Sequence, residues 1–501
     1  MHSDRLPRVL IFIVAYNAEQ SIQQVLTRIP PSLSRCNAEI LIIDDSSQDD
    51  TCRKAHEIVQ RHDLPFPTTI MYNPENQGYG GNQKIGFQYA IKNDFDIVAL
   101  IHGDGQYAPE CLPDLLEPLL RRDADAVFGS RMMSRLSALK GGMPLYKYIG
   151  NRILTFLQNW LLCTALTEFH SGYRLYSTAA LRRIPFNRNS NDFHFDTDII
   201  IQLLRAGMRI QELPIPTYYG NEICRVNGMK YAWNVVKASL LARIQNLGIL
   251  YERKFDIADP TTNNPLYQFK AGESTHSLAI SRVSPGSRVA DVGCAGGYVG
   301  RALGAKGCRV TGIDQFSFGR DIGLDSFIQA DLAYAEFPID AGTFDYVLLL
   351  DVLEHLPSPE KFVESLRFSR TSGNALRVIA STGNVAFITI RMGLFCGWFN
   401  YGLRGILDLT HTRLFTFRSF QKLFEQAGYN IEEVRGVPAP FRMIFPGALG
   451  KVLEKLNRAL IYFSPSLFAY QIFLVCSPMP TLDWLLNKAE VGGKEKLRQL
   501  A

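Results

Sequence analysis

The first half of the chain alternates short apolar runs with segments of helical periodicity. Apolar runs of strand length occupy residues 8–14, 39–43, 68–72 and 97–100, and apolar positions with helical spacing follow each of the first three. Strands that alternate with helices are typical of a parallel, doubly wound sheet. The pattern therefore predicts an α/β fold for this half.

Polar residues stand where these runs end. His102, Gly103, Asp104 and Gly105 come directly after the run that ends near residue 101. In an open α/β sheet ligands bind at the carboxyl ends of the strands, and glycine allows the backbone to approach a ligand closely. A carboxylate between glycines is also common in turns, so this segment alone leaves a turn and a binding site open.

A second polar run follows the strand at residues 39–43. Residues 44–51 read Asp-Asp-Ser-Ser-Gln-Asp-Asp-Thr, and acidic side chains at a strand end can accept hydrogen bonds from a base NH and ribose hydroxyls. Ser47 or Asp49 would also cap the next helix. Capping and turning explain one or two of these residues but not the whole run, which favours a nucleotide site.

The second half begins its own α/β pattern. Helical periodicity is lost after residue 250, and a Pro- and Asn-rich loop occupies residues 259–265. A new strand at 287–290 ends in Asp291 and a glycine-rich turn at 293–300, and the strand at 309–313 carries Asp314 at its tip. We therefore predict a first domain at 1–250, a linker at 251–270, a second domain at 271–480 and a tail at 481–501.

The glycine-rich turn differs from the dinucleotide-binding pattern. Counted from Gly293, the later glycines of that pattern would fall on Ala295 and Tyr298. The turn does suit a ligand without a pyrophosphate, with the acid of the next strand on its ribose. A Rossmann-like domain that binds such a ligand is the prediction for the second half.

Composition narrows the classes of protein. The chain has 501 residues, enough for several domains, and its formal charge of +5 gives no reason to expect a nucleic-acid partner. The nine cysteines are scattered without zinc-ligand spacing, which favours reduced thiols and a cytoplasmic location. No apolar window has the length of a signal peptide or a spanning helix.

Two amphipathic segments leave peripheral membrane contact open. Residues 154–166 and 441–470 mix apolar and basic positions in a way that would suit a membrane interface. Ordinary helices that face a core explain the same pattern more economically. Peripheral association with the inner membrane face is therefore an alternative to a purely cytoplasmic location.

The first half resembles the family-two glycosyltransferases, including the dolichol-phosphate mannose synthase branch, over roughly residues 8–235. The matching motifs lie at residues 15–19, 44–51, 76–81, 104–106, 129–131, 170–174 and 212–215. The resemblance implies a nucleotide-sugar-binding fold in which Asp45 contacts the base and Tyr16 and Glu19 line its pocket. It also implies that Asp104 holds a divalent metal, Mg²⁺ or Mn²⁺, on the donor diphosphate.

The chain departs from this family at the metal. The family usually has Asp-x-Asp, and His102 stands at the first position here. Imidazole can ligate a transition metal, which would favour Mn²⁺, or His102 could lie behind the metal with water completing the coordination. Arg131, Arg225 and Lys230 are further candidates for neutralising the charge of the leaving nucleoside diphosphate.

The acceptor side of this domain stays open. A sugar hydroxyl would need a general base, and Asp198 or Asp196, at the start of a predicted helix, could serve. A polyprenyl phosphate is already anionic and needs no base. The acidic pair is compatible with either a glycan or a lipid-linked acceptor.

The second half resembles the class I S-adenosylmethionine-dependent methyltransferases over roughly residues 270–478. Besides the glycine-rich turn, the segments at 329–332, 344–347, 351–356 and 408–415 carry the resemblance. It implies that Asp291, Gly293 and Gly297 shape the methionine end of an S-adenosylmethionine site. Asp314 would bind the ribose, and Asp331 would lie near the adenine amine.

Two histidines are candidates for chemistry in this half. A sugar hydroxyl has a high pKa and would gain from a base during methyl transfer, and His355 and His411 could supply one. In many methyltransferases a Glu-His pair such as Glu354-His355 only positions other groups. A catalytic role and a positioning role are both open.

These patterns favour a bifunctional transferase of glycan or cell-surface polysaccharide assembly. The first domain would move a sugar from a nucleotide-sugar donor, and the second would methylate a sugar or glycan intermediate. Three alternatives remain. One is a methyltransferase whose degenerate first domain only recognises a glycan. Another is a polyprenyl-phosphate glycosyltransferase that works at the membrane surface. The third, a membrane-docked scaffold, explains neither set of motifs.

Overall fold

The computed structural model describes residues 6–61, 64–134, 137–218, 227–245, 251–257, 274–316, 323–333, 337–368, 376–445 and 447–480. These residues form two compact units. The first contains the described residues up to Arg243 together with residues 252–257, and the second contains residues 244–245, 251 and 274–480. Residues 252–257 fall within the stretch that the sequence assigns to a linker, and here they belong to the first unit.

Seven described strands form the sheet of the first unit, in the order β3-β2-β1-β4-β6-β5-β7. Strands β1 to β4 are parallel, whereas β6 runs antiparallel to both β4 and β5. The strands are β1 Val9–Ala15, β2 Ala38–Asp44, β3 Thr68–Tyr72, β4 Ile97–His102, β5 Ala126–Ser130, β6 Arg174–Ser177 and β7 Ile210–Pro214.

Helices cover both faces of this sheet. They are α1 Ile22–Thr27, α2 Thr51–Gln60, α3 Tyr79–Lys92, α4 Leu112–Leu120, α5 Ser137–Lys140, α6 Leu145–Leu162, α7 Thr178–Arg183, α8 Phe195–Arg205 and α9 Gly228–Gln245. Short 3-10 helices lie at Pro31–Cys36, Pro109–Cys111, Phe186–Arg188 and Arg253–Phe255. Successive β1 side chains enter opposite cores: Ile11 packs on one face and Phe12 on the other. That is why the central strands read as continuous apolar runs.

The second unit repeats the arrangement with a different edge. Seven described strands lie in the order β10-β9-β8-β11-β12-β14-β13, and β14 runs antiparallel to both of its neighbours. The strands are β8 Arg288–Val292, β9 Arg309–Asp314, β10 Ser326–Gln329, β11 Tyr346–Leu350, β12 Arg377–Gly383, β13 Tyr429–Val437 and β14 Gln471–Pro478.

Helices also cover this second sheet. They are α10 Thr275–Arg282, α11 Tyr298–Gly304, α12 Pro359–Phe368, α13 Ile388–Phe395, α14 Phe417–Gln426, α15 Phe441–Ile444, α16 Ala448–Phe463 and α17 Pro465–Phe468. Short 3-10 helices occupy Ala341–Thr343 and Leu353–His355. The expected class of fold, two α/β domains, is confirmed. Within the described ranges no helix is long and apolar enough to span a bilayer.

Candidate active sites

The first candidate site is built where β1 and β2 end side by side. Several hydrogen bonds join the loop after β1 to the loop after β2. The Asn17 N–H donates to Ser47 Oγ (2.8 Å), the Ala18 N–H to Thr51 Oγ1 (2.7 Å), and the Gln48 N–H to Asn17 Oδ1 (2.8 Å). Two motifs that are distant in sequence therefore form one surface at the carboxyl edge of the sheet.

Asp45 fixes a third loop to this surface. Its buried carboxylate accepts hydrogen bonds from Asn73 Nδ2 (2.7 Å), the Gln77 N–H (2.8 Å) and the Gly78 N–H (3.0 Å). A carboxylate has about four acceptor positions, so three internal donors leave room for one more. Asp45 thus organises the segment ahead of α3. Its expected contact with a base stays a prediction.

Tyr16 and Glu19 lie on the same loops. The Tyr16 ring is exposed, whereas the Glu19 carboxylate lies 3.0 Å from Lys54 Nζ and accepts a hydrogen bond from the Asp50 N–H. Glu19 therefore contributes to the joint between the β1 and β2 loops.

His102 ends β4 and Asp104 follows it, but the two side chains occupy different environments. Asp104 is exposed, and its Oδ1 accepts a hydrogen bond from the Gln106 N–H (3.0 Å). The His102 Nε2 lies 3.4 Å from Tyr79 Oη, and its ring meets the edge of Tyr107. A Cβ on Gly172 would lie 2.5 Å from His102 Cε1, so this glycine makes the space that the imidazole fills.

Burial lowers the pKa of His102, and the charges of Asp104 and Asp196 oppose that shift only in part. The ring is therefore neutral near pH 7. Among the described residues no three His, Cys, Asp or Glu side chains are grouped as a metal cluster. One exposed carboxylate at a strand end fits a Mg²⁺-type ion, because such ions are commonly held by one or two carboxylates, substrate phosphates and water.

The two acids of α8 face opposite ways. They are two positions apart, about 200° around the helix. Asp196 Oδ2 accepts a hydrogen bond from Tyr79 Oη (2.8 Å), and its buried Oδ1 finds no hydrogen-bond donor among the described residues. Asp198 is fully buried, 2.9 Å from Lys254 Nζ, and accepts from the Ser190 N–H. Only Asp196 therefore shares a cluster with His102.

Arg174 ties this cluster together. Its guanidinium is buried and donates to the carbonyl oxygens of Ser171 (2.7 Å), Phe169 (2.6 Å) and Asp196 (3.0 Å). Its Nη2 also lies 3.8 Å from the Asp196 carboxylate. The hydrogen bonds and the charge of Arg174 thus hold the segment before β6 against α8.

Arg131 also has a buried partner. Its Nε donates to Glu168 Oε1 (3.0 Å), and its Nη2 donates to Glu168 Oε1 and to the His170 carbonyl. Burial alone would raise the pKa of Glu168, but the charge and hydrogen bonds of Arg131 keep it below its usual value. Lys230 is exposed, 3.7 Å from Asp192, and Arg225 lies outside the described residues.

The second candidate site surrounds the turn after β8. Gly293 and Gly297 have φ of 69° and 70°, and Ala295 also has a positive φ, 43°, which costs a residue with a Cβ. The Asp314 carboxylate accepts from the Ala295 N–H (2.9 Å) and the Phe316 N–H (3.0 Å). Asp314 at the tip of β9 therefore holds the turn in shape.

Asp291 is an unusual carboxylate at this turn. Its Oδ2 is buried and has no hydrogen-bond donor among the described residues. Burial, followed by the charge of Asp314, raises the pKa of Asp291 to about 7. An orphaned buried oxygen beside a turn that needs glycine fits a ligand with a cationic donor, such as the amino group of S-adenosylmethionine. Asp331 is exposed, and its Oδ1 accepts from the Ala333 N–H.

A polar cluster lies beyond the end of β11. Asp351 adopts φ of 55°, a strained value for a residue with a Cβ. Its carboxylate accepts hydrogen bonds from Ser381 Oγ and Gln471 Nε2, both at 2.8 Å. Sequence reasoning missed Asp351 and Gln471 as site residues. The strain at Asp351 has no signal in a single sequence.

His355 and His411 lie next to each other in this region. Their ring centroids are 4.8 Å apart, and the rings are nearly perpendicular. His411 Nδ1 lies 2.9 Å from the Ile406 carbonyl oxygen, so Nδ1 carries the proton and Nε2 is the acceptor in the neutral ring. His355 Nδ1 lies 3.1 Å from Thr410 Oγ1. Burial lowers the pKa of His411, which favours the neutral form.

Two family models match the two halves of the chain. Residues 10–184 match the glycosyl transferase family 2 model, and residues 270–434 match a methyltransferase domain model. The chain joins a family-two glycosyltransferase domain to a methyltransferase domain. This agrees with both resemblances seen in the sequence and with the two α/β sheets.

Relatives of the glycosyltransferase domain include lipid-phosphate glycosyltransferases. It is similar to an undecaprenyl-phosphate mannosyltransferase of Micrococcus luteus, 29% identical over 42% of this chain and 82% of the relative. It is also similar to a UDP-N-acetylglucosamine–dolichyl-phosphate N-acetylglucosaminyltransferase of Methanococcus voltae, 26% identical over 42% and 86%. Among solved structures, glucosyl-3-phosphoglycerate synthase from Mycobacterium tuberculosis covers 47% of this chain and 79% of its own at 17% identity, with a TM-score of 0.36.

The methyltransferase domain matches a shorter stretch of its relatives. It is 32% identical over 127 residues to a ubiquinone biosynthesis O-methyltransferase of Marinobacter nauticus, which covers 22% of this chain and 53% of that protein. In the glycosyltransferase domain, Tyr79, Gly172 and Arg174 lie within sequence motifs, but the sequence does not indicate their roles. Their partners, His102 and Asp196, come from other strands and helices, so only the fold shows these contacts.

Proposed function

We propose that this protein is a bifunctional transferase. The glycosyltransferase domain moves a sugar from a nucleotide-sugar donor to a polyprenyl phosphate, and the methyltransferase domain moves a methyl group from S-adenosylmethionine to a sugar or glycan intermediate. The observation that carries the first half is the meeting of the β1, β2 and β4 loops at one edge of the sheet. Ser21 Oγ, at the start of α1, donates to the Gly103 carbonyl (2.7 Å), which brings Asp104 to the loop of Tyr16.

The donor would lie across this edge. Tyr16 and the loop anchored by Asp45 take the nucleoside, and Asp104 faces the diphosphate. A bound Mg²⁺ or Mn²⁺ would neutralise charge on the leaving nucleoside diphosphate. His102 is held behind Asp104 as a neutral ring, which supports the interpretation that water and phosphate oxygens complete the coordination.

The acceptor is proposed to be anionic. A phosphate oxygen of the acceptor attacks the anomeric carbon, the carbon–oxygen bond to the donor diphosphate breaks, and the nucleoside diphosphate leaves. No proton has to be removed from such an acceptor. Asp196 is engaged by Tyr79 and Arg174, which makes it better suited to positioning than to strong base catalysis. The lipid-phosphate relatives support the same choice, and they favour an enzyme that works peripherally at the cytoplasmic membrane face.

The methyl transfer would use His411 as a base. Asp291, Gly293, Gly297, Asp314 and Asp331 are the candidates to hold S-adenosylmethionine. The acceptor hydroxyl gives its proton to His411 Nε2 as its oxygen bonds to the methyl carbon, and S-adenosylhomocysteine leaves. The Ile406 carbonyl fixes the required tautomer.

The test uses the full chain with UDP- and GDP-hexoses, Mn²⁺ or Mg²⁺, and a short-chain polyprenyl phosphate. We expect metal-dependent transfer that Asp104→Asn abolishes, while the thermal unfolding of that variant stays as in the wild type, which shows that the first domain is folded. Transfer unaffected by Asp104→Asn, or no binding of any nucleotide sugar, would overturn the assignment of the first domain.

A second candidate function rests on one observation, the packing of the His102 ring against Tyr79, Tyr107 and Gly172. If it reflects a lost metal site, the first domain only recognises a sugar and the methyltransferase alone is active. Nucleotide-sugar binding without turnover, together with methylation of a glycan, would establish that alternative. Turnover of a donor sugar would exclude it.

A further inference from the structure

Helix α6 exposes a markedly apolar side. Its other side packs on the first unit, where Thr155, Gln158 and Leu161 are buried. The exposed side carries large apolar residues, with Phe156 at 69% of its full accessibility. The exposed apolar residues of α6 are Leu145, Tyr146, Ile149, Ile153, Phe156 and Trp160. Their spacing by three and four residues makes one continuous stripe.

Helix α9 repeats the pattern. Its buried side carries Val235, Ala238 and Ala242. Its exposed side carries Met229, Trp233, Lys237 and Leu240, again one stripe at helical spacing. Large apolar residues are normally exposed singly, so two stripes that both contain tryptophan indicate a surface that contacts something.

The two helices share one small apolar cluster. Leu162, at the end of α6, packs on the cluster formed by Ala238 and Ala242 of α9, Ile201 of α8 and Phe255. Both helices therefore lie against α8. The exposed stripes of α6 and α9 together are called the α6–α9 face below.

The basic residues of α6 and α9 indicate the kind of partner that this face would bind. Neither helix contains Asp or Glu, whereas the two contain Lys147, Arg152, Lys230, Lys237 and Arg243. Arg152, Lys230 and Lys237 are exposed. Apolar and tryptophan side chains flanked by basic residues, with no carboxylate, suit the headgroup region of an anionic bilayer.

We propose that the α6–α9 face docks the first unit on a bilayer that contains anionic lipid. This inference rests on the proposed lipid-phosphate acceptor and assigns the surface through which the enzyme meets its membrane. The candidate acceptor residue lies close by, because Gln158 of α6 donates to Thr197 of α8 (3.4 Å), the neighbour of Asp196. The face and the acceptor carboxylate are thus separated by one helix.

The experiment is co-sedimentation of the full chain with phosphatidylcholine vesicles, with and without phosphatidylglycerol. We expect binding that needs the anionic lipid and weakens with salt. The double variant Arg152→Glu/Lys237→Glu should bind about tenfold or more weakly, because each basic residue contributes to the attraction. Phe156→Gln/Trp160→Gln should weaken binding comparably. Arg121→Glu, a charge change at an exposed residue directly after α4, is the control and should bind as the wild type.

Turnover of a short-chain, water-soluble acceptor separates this inference from the proposed function. Soluble turnover without vesicle binding overturns the docking surface and leaves the glycosyltransferase assignment intact. Vesicle binding without turnover of the soluble acceptor overturns the glycosyltransferase assignment and leaves the docking surface intact. Vesicle binding that both double variants retain overturns the choice of face. A concentration-dependent dimer that the same variants abolish would assign the face to a second copy and also overturn the proposal.

Discussion

The packing of His102 against Gly172 gives the sharpest prediction for the glycosyltransferase site. A Cβ at position 172 would lie 2.5 Å from His102 Cε1, 2.7 Å from its Nε2 and 3.0 Å from Tyr79 Oη. Ordinary carbon contacts are about 3.5–4.0 Å, so Gly172→Ala would force the imidazole to move by about 1 Å. His102 is the last residue of β4. Its displacement would also move Asp104, which lies two residues further along the chain.

Two effects of different size are expected from Gly172→Ala. Overpacking of this kind costs about 1–3 kcal/mol of stability, which the domain should survive. A misplacement of about 1 Å at a reacting centre can lower turnover by about 100-fold. The rate of sugar transfer should therefore fall strongly while the protein stays folded.

The assay measures sugar transfer, nucleoside diphosphate binding with Mn²⁺, and thermal unfolding. S-adenosylmethionine binding by the second domain is an internal control in the same preparation. Gly150→Ala is the matched control, because no atom lies within 4 Å of its added Cβ and the residue is inside α6. That substitution should stabilise the protein by up to about 1 kcal/mol and leave transfer unchanged.

Unchanged transfer by Gly172→Ala would refute the reasoning. It would mean that the imidazole can move without disturbing Asp104, and that the contacts of His102 do not position the candidate metal corner. Equal losses of transfer and of S-adenosylmethionine binding would indicate general unfolding and would refute it too.

Three further outcomes are expected. Asp196→Asn should lower sugar transfer by about 10-fold or more and also cost about 1–3 kcal/mol of stability, because it removes the charge beside buried Arg174. Asp198→Asn should cost a similar amount of stability by weakening the pairing with partly buried Lys254, but should change the transfer rate of the folded protein little. Activity and unfolding assays together distinguish the two. His411→Gln should lower the rate of methyl transfer by about 100-fold and leave S-adenosylmethionine binding unchanged. The pKa of His411 is lowered, so its ring stays neutral and the wild-type rate should fall only below about pH 6.5. The pKa of Asp291 is raised to about 7, so between about pH 4 and 7 the folded state keeps a proton that the unfolded state has released. Urea unfolding of the ligand-free domain should therefore lose about 1.4 kcal/mol per pH unit across that window, and Asp291→Asn should flatten the loss.

Much of the fold follows from local pattern. The central strands β1, β2, β4 and β11 are buried on both faces, so their sequences are continuous apolar runs that one chain suffices to recognise. The antiparallel strand β6 was not predicted. It is four residues long and begins with the charged residue Arg174, so it lacks the continuous apolar run by which the central strands are recognised.

The candidate sites, too, could be predicted from the sequence only in part. Motif spacing placed Asp45, Asp104, Asp291 and Asp314 at strand ends, because parallel strands deliver their carboxyl ends to one edge. Spacing left Asp196 and Asp198 equivalent. Helical geometry separates them, since residues two apart point to opposite sides of α8.

Local periodicity and residues adjacent in the chain suffice to predict the two α/β domains, the order of their motifs and the strand ends where acids gather. Folding is needed to show which acid joins the cluster at His102, that Arg131 and Arg174 are paired with buried groups, and that α6 and α9 expose an apolar side. Each of these depends on contacts between residues far apart in sequence. Burial and pairing arise only when the chain has folded.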